Sequence, residues 1–321
     1  MSELHKFLFD GLPVRGMIVR LTDAWTEVLR RREAHPWAPP VTRLLGEMAA
    51  AGALMQSNIK FNGALILQIF GDGPVKVAVA EVQHDLSLRV TAKVVGDVTH
   101  DALLSDLVNV RNQGRCAITL DPRDKLPGQQ PYQGVVPLHG DQREKIERLS
   151  EVLEHYMLQS EQLDTRLVLA ADEHVAAGLL IQRLPIEGEG NLAGSLVSKA
   201  NEDEIGVNED FNRIATLAAS LTREELLTLD VETILRRLFW EEQVLRFPAM
   251  TPKFHCTCSR ERVAGMIRGL GREEADSIIA ERGEIEVGCD FCGRQYHFDA
   301  VDAAQLFAPP GDQPPVTSSV Q

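Results

Sequence analysis

Hydrophobic and polar positions in the first half of the chain follow two different patterns. Residues 86–94 alternate apolar and polar side chains, which is typical of a half-buried strand, whereas residues 142–159 carry one apolar stripe at helical spacing. The other predicted strands are 14–21, 64–70, 75–82, 165–171 and 176–184, and the other predicted helices are 22–32 and 41–55. Because the strands come in neighbouring pairs with helices grouped between them, residues 1–185 predict one α+β domain.

The pattern changes in the middle of the chain. Residues 187–210 are rich in glycine, serine and acidic side chains, with seven acidic residues against one lysine. Two short amphipathic segments follow at 209–221 and 222–240, and Thr222 begins a helix-capping box. These helices carry many apolar residues but are too short to form a core of their own. Residues 186–252 therefore predict a helical linker that lies on the first domain.

The last part of the chain has a third character. Residues 253–308 predict a small cysteine-bearing unit, in which strand-like runs at 284–287 and 295–298 flank a Cys-x-x-Cys motif. The final residues, 309–321, are rich in proline and are predicted to be a disordered tail.

Composition and charge exclude several classes of protein. The 321 residues are 44% hydrophobic and 25% charged, which is typical of an ordinary soluble protein. No apolar run reaches the roughly 18–20 residues of a membrane-spanning helix, and the first twelve residues lack the pattern of a signal peptide. A cytoplasmic protein without a membrane partner is therefore expected. The net charge of −14 argues against a nucleic-acid partner.

Four of the five cysteines fall within 37 residues, as Cys256-x-Cys258 and Cys289-x-x-Cys292. Zinc binds four thiolates tetrahedrally, and closely spaced cysteine pairs are the usual way in which a chain supplies them. The Cys-x-x-Cys pair is a strong metal signal, whereas the Cys-x-Cys pair requires a local bend for both sulfurs to meet one ion. Four thiolates leave no open coordination position, so a hydrolytic zinc enzyme is not expected.

Other interpretations of these residues remain open. His255 and His297 lie close in sequence and could replace a cysteine as a ligand. Cys289 and Cys292 could instead serve a thiol-disulfide oxidoreductase, although they do not begin a helix in a βαβ context. Cys116 stands alone ahead of a predicted strand, and an inert buried thiol is the expected interpretation.

The predicted zinc site could be an inert structural element, as in a zinc-ribbon protein, or a switch. A nucleic-acid-binding ribbon is disfavoured because residues 253–302 hold seven basic and ten acidic side chains. A unit of this size buries too little surface to be stable alone, so a bound zinc ion contributes much of its folding free energy. Thiolates are also the form of cysteine that oxidants attack. Oxidation would then release zinc and unfold the unit.

Several blocks of sequence resemble a known family across nearly the whole chain. The blocks are Lys60-x-x-Gly63, Leu67-Gln68, Gly71-x-Gly73-Pro74, Tyr132-Gln133-Gly134-Val135-Val136, Ser160-Glu161-Gln162-Leu163, Ala177-Gly178-Leu179-Leu180-Ile181-Gln182, Cys256-x-Cys258-Ser259, Cys289-x-x-Cys292 and Tyr296-x-Phe298. In these blocks, and in their order, the chain resembles the 33 kDa chaperonin family of redox-regulated bacterial heat-shock holdases.

The resemblance implies a function that the spacing of residues alone does not give. It implies an ATP-independent chaperone, not an enzyme, that is inactive while zinc is bound to Cys256, Cys258, Cys289 and Cys292. Oxidation would form the disulfides Cys256–Cys258 and Cys289–Cys292, release zinc and unfold the linker. The resemblance further implies that the first domain, residues 1–185, holds unfolding client proteins and that residues 186–252 are a redox-responsive linker. It also implies that oxidation favours a homodimer and that an ATP-dependent foldase receives the clients.

Overall fold

The computed structural model of the protein describes residues 1–124, 128, 130–184 and 208–308. The predicted acidic stretch before residue 208 and the predicted tail at 309–321 lie outside these residues. The strands are β1 (Glu3–Phe9), β2 (Val14–Leu21), β3 (Gly63–Phe70), β4 (Val75–Gln83), β5 (Ser87–Val94), β6 (Arg115–Pro122), β7 (Tyr132–Pro137), β8 (Thr165–Ala171), β9 (Ala176–Arg183), β10 (Val244–Arg246), β11 (Lys253–Phe254), β12 (Ile285–Gly288) and β13 (Gln295–Phe298).

Ten helices complete the described part of the chain. They are α1 (Asp23–Arg30), α2 (Pro39–Asn58), α3 (Leu104–Val108), α4 (Leu149–Glu161), α5 (Glu209–Ala219), α6 (Arg223–Thr228), α7 (Val231–Leu238), α8 (Arg260–Leu270), α9 (Arg272–Arg282) and α10 (Ala300–Leu306). None of these helices combines the length and apolar character that crossing a membrane requires. The fold class is α+β, as the sequence predicts. The chain forms two compact units, and the second begins at Cys256.

Two sheets and a buried helix form the centre of the first unit. One sheet has five strands in the order β10-β1-β2-β9-β8, and the other has six in the order β11-β5-β4-β3-β6-β7. Helix α2 contacts strands of both sheets. It is rich in alanine and leucine and is buried along most of its length, as expected of a helix with apolar residues on all sides. A Cβ atom at Gly46 would lie 2.4 Å from the Cβ atom of Ala171, so this helix packs closely on β8.

The opposite face of the five-stranded sheet is covered by the linker helices, α5, α6 and α7. The sheet presents Phe7, Phe9 and other apolar side chains to one cluster that also contains the buried residues of all three helices. Phe239 anchors the end of this segment, because its ring lies edge-on to Phe9 with 4.9 Å between the ring centroids. The predicted capping box at Thr222 and Glu225 is present at the start of α6. The linker helices therefore lie on the sheet, as their apolar residues predict.

Several elements differ from their predicted bounds. Helix α4 begins at Leu149 rather than at residue 142, because the preceding residues form a turn in which His139 bridges to Lys145 and Arg143 adopts a φ of 63°. Within the second linker segment Asp230 can cap a further helix, and the structure confirms it: the Asp230 side chain caps α7 by accepting from the Thr233 amide.

The chain between α7 and the second unit is held by both sheets. Strand β10 pairs with β1, and the two-residue strand β11 pairs in parallel with β5. Two hydrogen-bonded strands therefore lie between the linker helices and Cys256.

A cavity of about 480 Å³ beside α6 contains a half-buried carboxyl group, Glu47 of α2. Arg43 and Arg223 line the same cavity, and Arg223 also donates a hydrogen bond of 2.6 Å to the carbonyl oxygen of Ala171. Burial raises the pKa of Glu47 to about 7, although the charges of both arginines oppose the shift. The other charged residues around the cavity are Glu147, Arg148, Glu151, Glu154 and Arg166.

We expect Glu47→Gln to stabilise the first unit in a pH-dependent way. The folded carboxyl binds a proton more tightly than the unfolded one, so its ionisation destabilises the fold as pH rises from about 4.5 to about 7. Above pH 7 the variant should gain on the order of 1–3 kcal/mol in free energy of unfolding, and the gain should nearly vanish near pH 4.5. Denaturant titrations followed by tryptophan fluorescence would measure this, because all three tryptophans belong to the first unit.

Glu151→Gln is the matched control, since Glu151 lines the same cavity with an exposed side chain. It should show no comparable gain. A stability difference for Glu47→Gln that is the same at both pH values would contradict this account of Glu47.

Candidate metal centre

Cys256 and Cys258 lie in the irregular segment between β11 and α8. Ser259 ends this segment and caps α8, because its hydroxyl oxygen accepts a hydrogen bond of 3.3 Å from the Arg262 amide. The irregular backbone supplies the local bend that a Cys-x-Cys pair requires. Both sulfurs belong to the same cluster as those of the second cysteine pair.

Cys289 and Cys292 lie in the turn of the hairpin formed by β12 and β13. The Cys289 amide donates to the Arg294 carbonyl oxygen at 2.9 Å, and the Gly293 amide donates to the Cys289 carbonyl oxygen at 2.8 Å. Gly293 has a φ of 71°, a conformation that glycine adopts without strain. The chain therefore curls back directly after the second cysteine and holds both thiols on the inside of the turn.

The four sulfur atoms form one compact group, the four-cysteine cluster (Cys256, Cys258, Cys289 and Cys292). All four Sγ atoms lie within 4.8 Å of one another. The Sγ atoms of Cys256 and Cys289 are 3.7 Å apart, and those of Cys258 and Cys292 are 3.3 Å apart. Zn–S bonds of about 2.3 Å in a tetrahedron place neighbouring sulfurs about 3.8 Å apart. The cluster can therefore hold one tetrahedrally bound metal ion.

The thiols of the cluster differ in acidity. Burial raises the pKa of Cys256 and of Cys292. Burial acts on Cys258 as well, but the Tyr296 hydroxyl and the neighbouring thiols outweigh it and lower the pKa of Cys258 to about 7. Cys258 therefore offers a thiolate near neutral pH, which is the form of cysteine that binds a metal.

The unit around the four-cysteine cluster has a small apolar core. Cys258 and Cys289 pack against the core, so the sulfur cluster and the core are continuous. The buried core residues in the described part of the unit are Ala264, Ile267, Ala275, Ile285, Tyr296, Phe298 and Ala303. Three of these seven residues are alanines. Such a core contributes little hydrophobic free energy, so ligation of a metal would be a major part of the unit's stability.

The histidines considered from the sequence do not join the cluster. Among the described residues, the group of His, Cys, Asp and Glu side chains close enough to share a metal is the four cysteines. His297 instead contacts Glu284, with 3.2 Å between Nδ1 and Oε1. Cys116 lies on β6 and is completely buried, and burial raises its pKa to about 12. This thiol is therefore unreactive, as the sequence predicts.

Two residues beside the cluster have no recognisable role in the sequence alone. Tyr296 is one of the neighbours that lower the pKa of Cys258, together with the other three thiols. Arg260 joins α8 to the hairpin and to α10, because its guanidinium lies 4.2 Å from the Phe298 ring centroid and donates to the His297 carbonyl oxygen and to Asp302. The sequence does not show the role of Tyr296, because a tyrosine in a short strand has the pattern of an ordinary core residue. It does not show the role of Arg260, because the contacts of Arg260 join residues 37 and 42 positions apart in the chain.

Comparison with known proteins identifies the family. The family model described as Hsp33 protein matches residues 2–299. The chain belongs to the Hsp33 family. A 33 kDa chaperonin of Chromobacterium violaceum is 46% identical to this Hsp33 chain over 306 residues, which cover 95% of this chain and 94% of that protein. A 33 kDa chaperonin of Methylobacillus flagellatus is 43% identical over 307 residues, with 95% and 94% coverage.

A solved structure supports the fold of this Hsp33 chain. The crystal structure of the 33 kDa chaperonin from Thermotoga maritima superposes with a TM-score of 0.71 and covers 95% of this chain and 97% of that one. Its sequence is 21% identical, so this likeness concerns the fold alone.

We expect the reduced protein to bind one zinc ion per chain through the four-cysteine cluster. Cys256→Ser removes one thiolate and should weaken zinc binding at least about tenfold, or about 1.4 kcal/mol. Cys116→Ala removes a thiol in the other compact unit and should leave the affinity unchanged. Competition with a chromogenic chelator measures both. Absence of zinc from protein purified under reducing conditions, or an unchanged affinity in Cys256→Ser, would refute the assignment.

Proposed function

We propose that this protein is a redox-regulated, ATP-independent holdase of the cytoplasm. It is inactive while zinc is bound to the four-cysteine cluster, and it binds unfolding client proteins after oxidation. The observation that carries the proposal is a compact group of four thiols in a small-cored unit of a chain that belongs to the Hsp33 family. A metal-dependent unit of this kind converts an oxidant into a loss of structure.

The oxidation step forms Cys256–Cys258 and Cys289–Cys292. Each disulfide forms from two thiolates with the loss of two electrons, and one peroxide molecule accepts them with two protons to give two water molecules. Four thiolates thus consume two peroxide molecules and leave no ligand for zinc. The folded cluster places Cys256 near Cys289 and Cys258 near Cys292. All four Sγ atoms lie within 4.8 Å of one another, however, so the partners within each motif are also in reach. Once a first disulfide has loosened the unit, loop closure favours partners two or three residues apart over partners more than thirty apart.

The linker helices connect this chemistry to client binding in the proposed mechanism. They cover apolar side chains of the five-stranded sheet, and their own apolar faces are buried there. Their release would expose two complementary apolar surfaces, which is what a protein that holds unfolded chains requires. The same surfaces would favour a homodimer of the oxidised protein. Transfer of clients to an ATP-dependent foldase completes the proposed cycle, since a holdase does not itself consume ATP.

Client aggregation is the direct test. We expect peroxide-treated protein to suppress aggregation of a thermally unfolding client, and the reduced, zinc-loaded protein to have little effect. Zinc release should accompany activation, and peptide mapping should find the two local disulfides, with Cys289–Cys292 forming first because the Cys256–Cys258 ring is smaller and more strained.

Other results would assign a different function. Retention of zinc with no activity after peroxide treatment would indicate an inert structural site. Reduction of insulin disulfides by the reduced protein would indicate a thiol-disulfide oxidoreductase. A main product linking Cys256 to Cys289 would contradict the proposed pairing.

The docked linker can be tested without oxidation through Leu235. This α7 residue is 5% exposed and belongs to the cluster between the helices and the sheet. Leu235→Glu would bury an unpaired charge there and should weaken docking by a few kcal/mol. We expect the reduced, zinc-loaded variant to suppress client aggregation.

Thr216→Glu is the matched control, because it adds the same charge at an exposed position of α5. It should remain inactive when reduced. A Leu235→Glu protein that folds, keeps zinc and has no holdase activity would show that linker docking does not inhibit the reduced state.

A further inference from the structure

Two cationic side chains, Lys6 and Arg15, project from the face of the five-stranded sheet that packs against α2, and a third, Lys60, lies just beyond the end of that helix. The register places Lys6 opposite Met17 and Leu8 opposite Arg15, so Lys6 on β1 and Arg15 on β2 project from the same face. Lys60 follows two residues after Asn58, whose amide shares the Gln182 Oε1 acceptor with Arg15, and three residues after Ser57, whose carbonyl oxygen accepts from Lys6. We call Lys6, Arg15 and Lys60 the cation cluster.

A buried amide holds part of the cation cluster in place. Gln182 on β9 is 1% exposed, and its Oε1 atom accepts hydrogen bonds from Arg15 Nε at 3.1 Å and from Asn58 Nδ2 at 3.0 Å. The amide nitrogen of Gln182 donates to Thr165 Oγ1 at 2.9 Å, which fixes the orientation of the amide. The guanidinium is therefore positioned by a hydrogen-bond network across three strands and the end of α2. Its Nη1 atom has no partner among the described residues.

The cation cluster lacks a carboxylate partner within the described ranges. The Lys6 ammonium donates to the backbone carbonyl oxygen of Ser57, a neutral acceptor. Another half-buried arginine of the same sheet is paired, since Arg183 contacts Asp164 with 2.7 Å between Nε and Oδ2. The chain has 47 acidic and 33 basic residues, so acidic side chains are abundant. Among the described residues, a group of cations without one is therefore a local feature.

Holding these cations together has a free-energy cost. Burial, and then the charges of Arg15 and Lys60, lower the pKa of Lys6. Burial also lowers the pKa of Arg15. A bound anion would offset both the burial and the mutual repulsion.

We propose that the cation cluster binds a phosphate-type oxyanion. Phosphate carries up to two negative charges near neutral pH and presents oxygen atoms in several directions, so it can accept from donors on β1, on β2 and beyond α2 at once. A single carboxylate carries one charge in a planar fork that suits one guanidinium. The site lies in the first compact unit, and the proposal does not depend on zinc or on the redox mechanism.

Calorimetry on the reduced, zinc-loaded, full-length protein at low ionic strength tests the proposal. We expect pyrophosphate to bind more tightly than inorganic phosphate, and acetate to bind weakest. Arg15→Gln and Lys60→Gln should each weaken pyrophosphate binding by roughly three- to tenfold. Lys76→Gln is the matched control, because it removes an exposed lysine of β4 outside the cluster. Adenosine diphosphate binding no tighter than pyrophosphate would assign the site to phosphate groups, and tighter binding would assign it to a nucleotide.

Thermal unfolding supplies an independent measurement. Without an anion, Lys60→Gln should raise the melting temperature because it removes repulsion at an exposed position. Saturating pyrophosphate should cancel this advantage, since it stabilises the wild-type protein more. The proposal is overturned if the wild-type protein shows no pyrophosphate binding, if Lys76→Gln weakens binding as much as Lys60→Gln, or if Lys60→Gln leaves both affinity and melting temperature unchanged.

Discussion

Both faces of the five-stranded sheet are apolar, and the arrangement of the first compact unit depends on this constraint. Along β9, Leu180 belongs to the cluster around α2, while its neighbours Leu179 and Ile181 belong to the cluster under the linker helices. A sheet of this kind must be covered on each side to keep apolar surface from water. Helix α2 covers one face and also packs on the second sheet. The linker helices cover the other face, and their main contacts are with strands of the five-stranded sheet alone, which is why the proposed mechanism assigns the release to them.

Much of the first unit could be predicted from the periodicity of apolar residues, and the misses have physical causes. Strands β2 and β8 have the predicted bounds, because each is an apolar run bounded by polar or turn residues. Strand β1 is not predicted because its apolar side chains face two different clusters, so no single-face pattern appears. Helices α8 and α9 are not predicted because each buries only one or two residues, and a short apolar stripe gives little periodicity.

Some features of the cysteine site can be predicted from the spacing of the cysteines, and others depend on tertiary packing. The spacing of the two pairs predicts four thiols in one place, and the hairpin around Cys289 and Cys292 follows from the flanking strand patterns. The neighbour relations of the sulfurs do not follow, because Cys256 lies beside Cys289 only after segments 33 residues apart have packed together. The effect of Tyr296 on Cys258 is likewise a product of the folded unit.

Strand β11 fixes the chain immediately before Cys256. The Lys253 amide donates to Leu86 and the His255 amide to Leu88, at 3.2 and 3.0 Å, and Arg31 lies over the Phe254 ring. In the proposed mechanism, an unfolded cysteine unit would stay tethered immediately before Cys256 while these contacts persist. The cysteines of the hairpin would then search for sulfur atoms whose positions are already restricted. The short strand would thereby raise the effective concentration at which the unit rebuilds the cluster once reducing conditions return.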